Sequence, residues 1–224
     1  MAKIDLFSQK MPINKNNNSQ INQLRVSLVI YQHVLATGLT LPLEMLLAGE
    51  AFARRYDKSV IKLKTQLVSQ ANKPVTSRAG IQFLPDITLN NITDGEDYVP
   101  DIILVPSLWR NPRPVLKKHA KLITWLKHCW QQGSTLLAVG TGVCFLAESG
   151  LLDDHSATTH WHYVEQFKRD YPKVEIKPDF FITQSERIYC AASLNSLADI
   201  IVHIISQTYG RAAAQNVERN FSHE

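Results

Sequence analysis

The feature that most constrains the fold is the stretch Thr135 to Gly150, T-L-L-A-V-G-T-G-V-C-F-L-A-E-S-G. Its first part, Leu136 to Val139, is an apolar run that stops at Gly140-Thr141-Gly142. A short apolar run bounded by glycine reads as a buried strand. Val143 to Glu148 then reads as an apolar helix, closed by Gly150. A strand that turns sharply into a helix is the geometry of a nucleophile elbow. Its corner residue projects into the crevice at the carboxyl ends of the strands, where open α/β sheets bind ligands. The corner falls on Gly140. Glycine accepts a strained backbone but brings no side chain. The stretch therefore predicts an enzyme-like frame without its nucleophile.

The flanking sequence supplies the rest of such a sheet. Leu24 to Tyr31 is β-branched and apolar, a first parallel strand. Leu43, Leu46, Leu47 and Ala51 recur at helical spacing, predicting a helix over about 41–55 with Thr40 as its cap. Val60 to Ser69 alternates as a second strand. Turn residues between Pro74-Val75-Thr76 and Ile81-Gln82-Phe83 predict a hairpin at the sheet edge. After an acidic loop at 94–97, Tyr98 to Val105 reads as a buried strand ended by Pro106-Ser107. A helix over about 115–132 follows, with Leu116, Ala120, Ile123, Leu126 and Trp130 inward. Beyond the elbow, 162–171 reads as a helix and 174–176, 180–183 and 188–191 as short strands. Leu197, Ile200, Ile201, Ile204 and Ile205 mark a strongly amphipathic final helix. Strand and helix alternate, which calls for a parallel sheet covered on both faces.

Without repeats or an internal linker, the 224 residues read as one α/β domain. Residues 1–23, rich in Asn, are expected to be a disordered leader. The folded part spans 24–210, and 211–224 is a last helix or the start of a linker. Twenty-four basic and 20 acidic residues give a net charge of +4, too even to argue for nucleic acid. Cys129, Cys144 and Cys190 are widely spaced and odd in number, which argues against a disulfide framework and fits a reducing, cytoplasmic setting. Neither a membrane-length apolar run nor a signal peptide is present in the sequence.

The segment V-G-T-G-V-C-F-L-A-E-S-G-L-L-D, then A-T-T-H-W at Ala157 to Trp161, resembles a known family. It is similar to the PfpI-like, class I glutamine amidotransferase-like domain at the N-terminus of GlxA-type AraC-family transcriptional regulators. Pro42-Leu43-Glu44 matches that family's first-helix motif, and Asp101 to Pro106 its D-x-(apolar)-(apolar)-V-P strand. The resemblance covers about residues 24–210 and implies a flavodoxin-like parallel sheet sandwiched by helices. It breaks at three places. The family's elbow cysteine aligns with Gly140, and the superfamily's acidic partner for that cysteine with Gly38. The family's paired helix-turn-helix motifs would begin beyond this chain.

These departures set the expectations for the site. No catalytic residue is assigned, and neither a cofactor nor a metal: His160 and His162 form H-x-H, but no cysteine or carboxylate cluster completes a site. The backbone N–H groups of Thr141 and Gly142 are expected to bind an anion. The resemblance places His160 beside the elbow, as a ligand contact or a satisfied structural histidine, and Trp161 as a pocket wall or a packed ring. Ser107 and Trp109 are pocket candidates because they follow a strand end. Arg110 and Arg113 read as an anion-attracting pair or a solvated loop. Cys144 is the rival nucleophile, one helical turn past the corner; a thiol inside an apolar helix is usually inert. The chain is thus expected to be a non-enzymatic sensor of an unknown small molecule. The resemblance implies a homodimer that reaches DNA only through a domain not in this chain. A cysteine-dependent hydrolase or hydratase using Cys144, and a dimerisation-only domain, are the alternatives.

Overall fold

A computed structural model of the chain describes residues 23–91, 98–109 and 111–221. The expected leader, the acidic loop at 94–97 and Arg110 lie outside these, save Gln23, which opens the first strand.

In chain order the elements are β1 (Gln23–Val29), α1 (Thr37–Tyr56), β2 (Lys62–Ser69), β3 (Val75–Thr76), β4 (Gln82–Phe83), β5 (Ile87–Thr88) and β6 (Ile102–Val105). They continue with α2 (Arg113–Lys118), α3 (Ala120–Gln131), β7 (Thr135–Val139), α4 (Val143–Glu148), β8 (Ser156–Ala157) and α5 (Val164–Asp170). β9 (Glu175–Ile176), β10 (Ile182–Ser185), β11 (Ile188–Ala191), α6 (Leu194–Tyr209) and α7 (Arg211–Phe221) complete the chain.

Seven strands form one sheet in the order β10-β11-β7-β6-β1-β2-β5. All neighbours are parallel except β10 and β11. β6, β7 and β11 are buried at every residue, which is why they read as continuous apolar runs rather than alternating ones. From β1 the chain steps one way to β2 and the other way to β6, so the strand order reverses between β1 and β6. A doubly wound sheet opens its ligand crevice at such a reversal, beyond the carboxyl ends. On one face α1, α6 and α7 pack together, and on the other α3 lies against β7 and α4. Leu197, Ile200, Ile201, Ile204 and Ile205 are all buried along α6. Each such side chain contributes about 1.5–3 kcal/mol relative to exposure. α1 comes close to α6 at Gly49, where a Cβ would meet Ile205 Cγ2 at 2.8 Å.

Four local expectations are corrected. α1 starts at Thr37 with Ala36 as its cap residue, and Thr40 lies inside the helix, its hydroxyl donating to the Ala36 carbonyl at 3.2 Å. Tertiary anchoring moves the start: the Leu35 N–H donates to the Ser107 carbonyl at 2.9 Å, fixing the entering chain against the end of β6. The hairpin β3–β4 forms, but as a separate two-stranded sheet; the main sheet ends there in β5. The helix over 115–132 is two helices, broken at His119, whose φ of −121° is not helical. The break resets the phase, so Leu122, Trp125 and Cys129 face inward with Leu116 and Leu126, whereas Ala120 is exposed. The strand at 98–105 shortens to β6 because Tyr98 to Pro100 take no ladder partner.

Candidate functional site

β7 delivers the chain to Gly140 at φ +53°, a left-handed conformation that glycine adopts without the Cβ penalty. The corner foreseen in the sequence is therefore at Gly140. A Cβ there would stand 2.8 Å from Ser107 Oγ and 3.6 Å from His160 Cβ. Real Cβ atoms do not approach that closely, so a corner side chain would need the Ser107 hydroxyl to turn aside. Gly38 is less tightly confined: a Cβ there would lie 3.0 Å from Pro106 Cβ, just past the end of β6. Both positions that the resemblance assigns to a catalytic pair are thus crowded by residues that follow β6.

The floor beneath the corner is a tight hydrogen-bond cluster. The Thr141 N–H donates to Ser107 Oγ at 3.3 Å. The Thr141 hydroxyl donates to the Leu108 carbonyl at 2.8 Å and accepts the Leu108 N–H at 3.1 Å. Ser107 Oγ and Thr141 Oγ1 lie 3.0 Å apart. The Thr159 hydroxyl donates to the Gly140 carbonyl at 2.7 Å, tying the A-T-T-H-W loop to the elbow. Gly142 packs where a Cβ would sit 2.4 Å from the Pro106 carbonyl oxygen. That closeness lets the first turn after β7 rest on β6. Of the two backbone donors expected to bind an anion there, at Thr141 and Gly142, one is engaged. The Thr141 N–H already has a partner inside the chain, and Gly142 serves backbone packing.

Over this floor opens a cleft of about 820 Å³ between the loops after β1, β6 and β7 and the start of α5. Ser107, Trp109, Thr141, His160 and Trp161, five of the seven expected contacts, line it. Gly140 and Gly142 do not; both are buried below. Trp109 and Trp161 stand half or more exposed at the rim. His160 Nδ1 accepts the His162 N–H at 3.3 Å, which leaves the ring proton on Nε2 in the neutral form. Burial, then the neighbouring His162, holds the His160 pKa below its ordinary value of 6.5.

Leu35, Asn111, Arg113, Tyr163 and Gln166 also line the cleft. Of these the sequence singled out only Arg113. Its guanidinium is bound to the carboxylate of Asp170, through Nη2 to Oδ1 and through Nε to Oδ2 at 3.0 Å. Gln166 Nε2 and the Tyr163 hydroxyl donate to the same carboxylate at 2.8 and 3.3 Å. Asp170 thus gathers the polar groups of this wall and joins α2 to α5. No sequence spacing announces a pair 57 residues apart.

Cys144 is fully buried and does not line the cleft. Burial, and then the nearby Glu148, drives its thiol pKa far upward. A thiol in this setting stays protonated at neutral pH, whereas the thiolate is the form that attacks and ligates. Cys129 and Cys190 are likewise buried, and neither is in a disulfide. Among the described residues no group of three or more His, Cys, Asp or Glu side chains could hold a metal ion.

Fold and floor together define a class: a doubly wound α/β domain with an elbow at its switch point and a glycine in the corner. Residues 25–207 match the DJ-1/PfpI family, and the chain belongs to it. It is 29% identical over 155 residues to the HTH-type transcriptional regulator CdhR of Pseudomonas aeruginosa, covering 69% of this chain and 44% of that protein. It is 26% identical over 159 residues to the HTH-type transcriptional regulator GbdR of the same species, covering 70% and 40%. The chain therefore spans less than half the length of these curated relatives. The crystal structure of an AraC family transcriptional regulator from Pseudomonas putida shares the fold with TM-score 0.70 at 22% identity, covering 88% of this chain and 99% of that one. Drosophila melanogaster DJ-1beta does so with TM-score 0.70 at 12% identity, covering 88% and 97%.

Proposed function

We propose that residues 24–210 form a non-catalytic, small-molecule-sensing domain of an AraC-type transcriptional regulator. The observation that carries this reading is the Ser107 hydroxyl standing 2.8 Å from where a Gly140 Cβ would be, beneath an open cleft of about 820 Å³. The corner holds no nucleophile and Ser107 crowds it, while the space for a ligand remains. Similarity to CdhR and GbdR supports the regulatory part. In this reading the protein works in the cytoplasm as a homodimer and reaches DNA through a separate helix-turn-helix domain. Ser107, Trp109, Thr141, His160 and Trp161 contact the effector, while Gly140 and Gly142 shape the floor.

A metabolite screen by thermal shift tests it. Ligand at a hundredfold over its Kd stabilises by about 2.7 kcal/mol, a readily measured rise in Tm. Effectors are expected whose shift disappears in Trp161→Ala and which are recovered unchanged after prolonged incubation. A screen with no stabilising compound, or one that finds turnover, overturns the proposal. Cys144 chemistry gains no support from a buried thiol of raised pKa.

A further inference from the structure

We infer that the cleft recognises its ligand by a carboxylate carried on a flat apolar body, and that Asn111, Arg113 and His160 are the specificity-determining donors. This rests on the reading of the cleft as an effector pocket.

These three lining side chains share one arrangement: the chain holds one end of each and leaves a donor at the other. Asn111 Oδ1 accepts the Arg113 N–H at 3.0 Å, which fixes the amide and leaves its NH2 group unengaged. Arg113 is bound to Asp170 through Nε and Nη2, so its guanidinium is held in one orientation with Nη1 free. His160 Nδ1 accepts the His162 N–H, which puts the proton of the neutral ring on Nε2. Among the described residues, none of these three donors has a partner within the chain, nor do the indole N–H groups of Trp109 and Trp161. Gln166, on the same wall, has both ends engaged: Nε2 donates to Asp170 at 2.8 Å and Oε1 accepts Arg169 Nη2 at 3.0 Å.

Charge follows the same direction. No Asp or Glu lines the cleft. Asp170 stands behind its wall, 8% exposed, with its oxygens taken by Arg113, Gln166 and Tyr163. A second space of about 490 Å³ adjoins the first, sharing Leu35 and Trp109, and the charged residue that lines it is Arg78. An ammonium entering the cleft would meet only neutral oxygens, such as those of Ser107 and Tyr163, and the indole faces, which attract cations through the ring quadrupole. A carboxylate would meet N–H groups already held in place. Hydrogen bonds to an ionised group are roughly twice as strong as neutral ones, and donors fixed beforehand lose little freedom on binding. Because Asp170 offsets the Arg113 charge, the preference comes from these positioned donors more than from net charge. The apolar body has Leu35, Leu108 and the two rim indoles to lie against.

Two probes with one ring test this: benzoate and benzylamine, each titrated into the whole chain at neutral pH. The side-chain amide of Asn111 and the indole N–H signals of Trp109 and Trp161 report binding by NMR. Benzoate is expected to bind saturably, and benzylamine about tenfold more weakly or worse. Asn111→Asp keeps an oxygen for the Arg113 N–H and puts a charged acceptor where the donor stood. It should invert the order, with benzylamine above benzoate. Benzylamine binding the native chain as tightly as benzoate overturns the inference while leaving an effector pocket in place. So does an unchanged order in folded Asn111→Asp. If neither probe perturbs these signals up to about 10 mM, the pocket reading itself falls. The order in the native chain decides the question even if Asn111→Asp does not fold.

Discussion

The floor of the cleft and its rim are built on opposite terms. At the floor the packing is close: a Cβ on Gly142 would strike the Pro106 and Val105 carbonyls and one on Gly140 the Ser107 hydroxyl, and every donor of Thr141 and Leu108 has a partner within the chain. At the rim, Trp109 and Trp161 hold their rings in solvent, 53% and 76% exposed. Large exposed indoles on a small domain need a reason that core packing does not give. The contrast teaches that a closely packed elbow and solvent-facing loop side chains meet in one cleft.

The largest expected effect comes from breaking the floor. Gly142→Ala places a Cβ 2.4 Å from the Pro106 carbonyl oxygen and 2.5 Å from that of Val105, backbone atoms at and just past the end of β6. Neither can move alone. The substitution should destabilise by about 3 kcal/mol, read as a fall in the urea midpoint without a change in slope. A loss below about 1 kcal/mol would mean that the first turn of the elbow is more pliant than the contacts imply.

Gly140→Cys comes next. It adds a side chain at φ +53° and drives its Cβ onto Ser107 Oγ. The two effects together should cost about 1–3 kcal/mol. Ser107→Gly in the same chain should recover the steric part, leaving a non-additive double-mutant cycle. Additive losses would show that Ser107 does not fill the corner.

Thiol chemistry separates floor from depth. In the native protein Cys144 should resist iodoacetamide at pH 8 and react only as fast as the chain opens, because burial pushes its pKa upward. A thiol introduced in the doubly substituted Gly140→Cys, Ser107→Gly protein should label far faster. Rapid labelling of native Cys144, followed by mass spectrometry, would reverse the comparison.

A gentler probe is pH. The folded His160 pKa lies below 6.5, the value expected of the unfolded chain. Between the two, the unfolded state binds more protons, so stability falls as pH drops through 6.5 toward the folded pKa. Above 6.5 this group adds no slope. Replacing His160 with Gln should flatten that part of the profile; an unchanged profile would mean that the ring is solvated like any surface histidine.

Least of all should be the stability effect of Trp161→Ala at the rim, within about 0.5 kcal/mol. Its expected consequence is confined to ligand response. A large loss of stability would show that the ring is a structural support and dissolve the distinction between floor and rim.

Much of this was legible in residue order. Runs such as Leu136 to Val139 and Ile102 to Val105 mark strands with both faces covered, because only such strands omit polar alternation. The corner glycine was legible because strand, Gly140 and helix follow one another directly. The cap of α1 was not, because a contact to Ser107, 72 residues beyond Leu35 by numbering, decides where that helix begins. The inner face of α3 was not either, because a single non-helical residue at His119 rotates everything after it.

Sequence by itself determined that the corner holds no nucleophile: a missing side chain is a covalent fact, and no packing can supply it. It also determined the alternation that makes the sheet, since periodicity is local. Only the tertiary structure decided what stands against that corner. Ser107 and Gly140 lie 33 positions apart in the chain, and their apposition depends on the register of β6 against β7. Only folding, too, turned Arg113, Tyr163 and Gln166 toward Asp170. Hydrogen-bond satisfaction is a property of assembled surroundings. The sequence listed the donors, and the fold decided which remained to be offered.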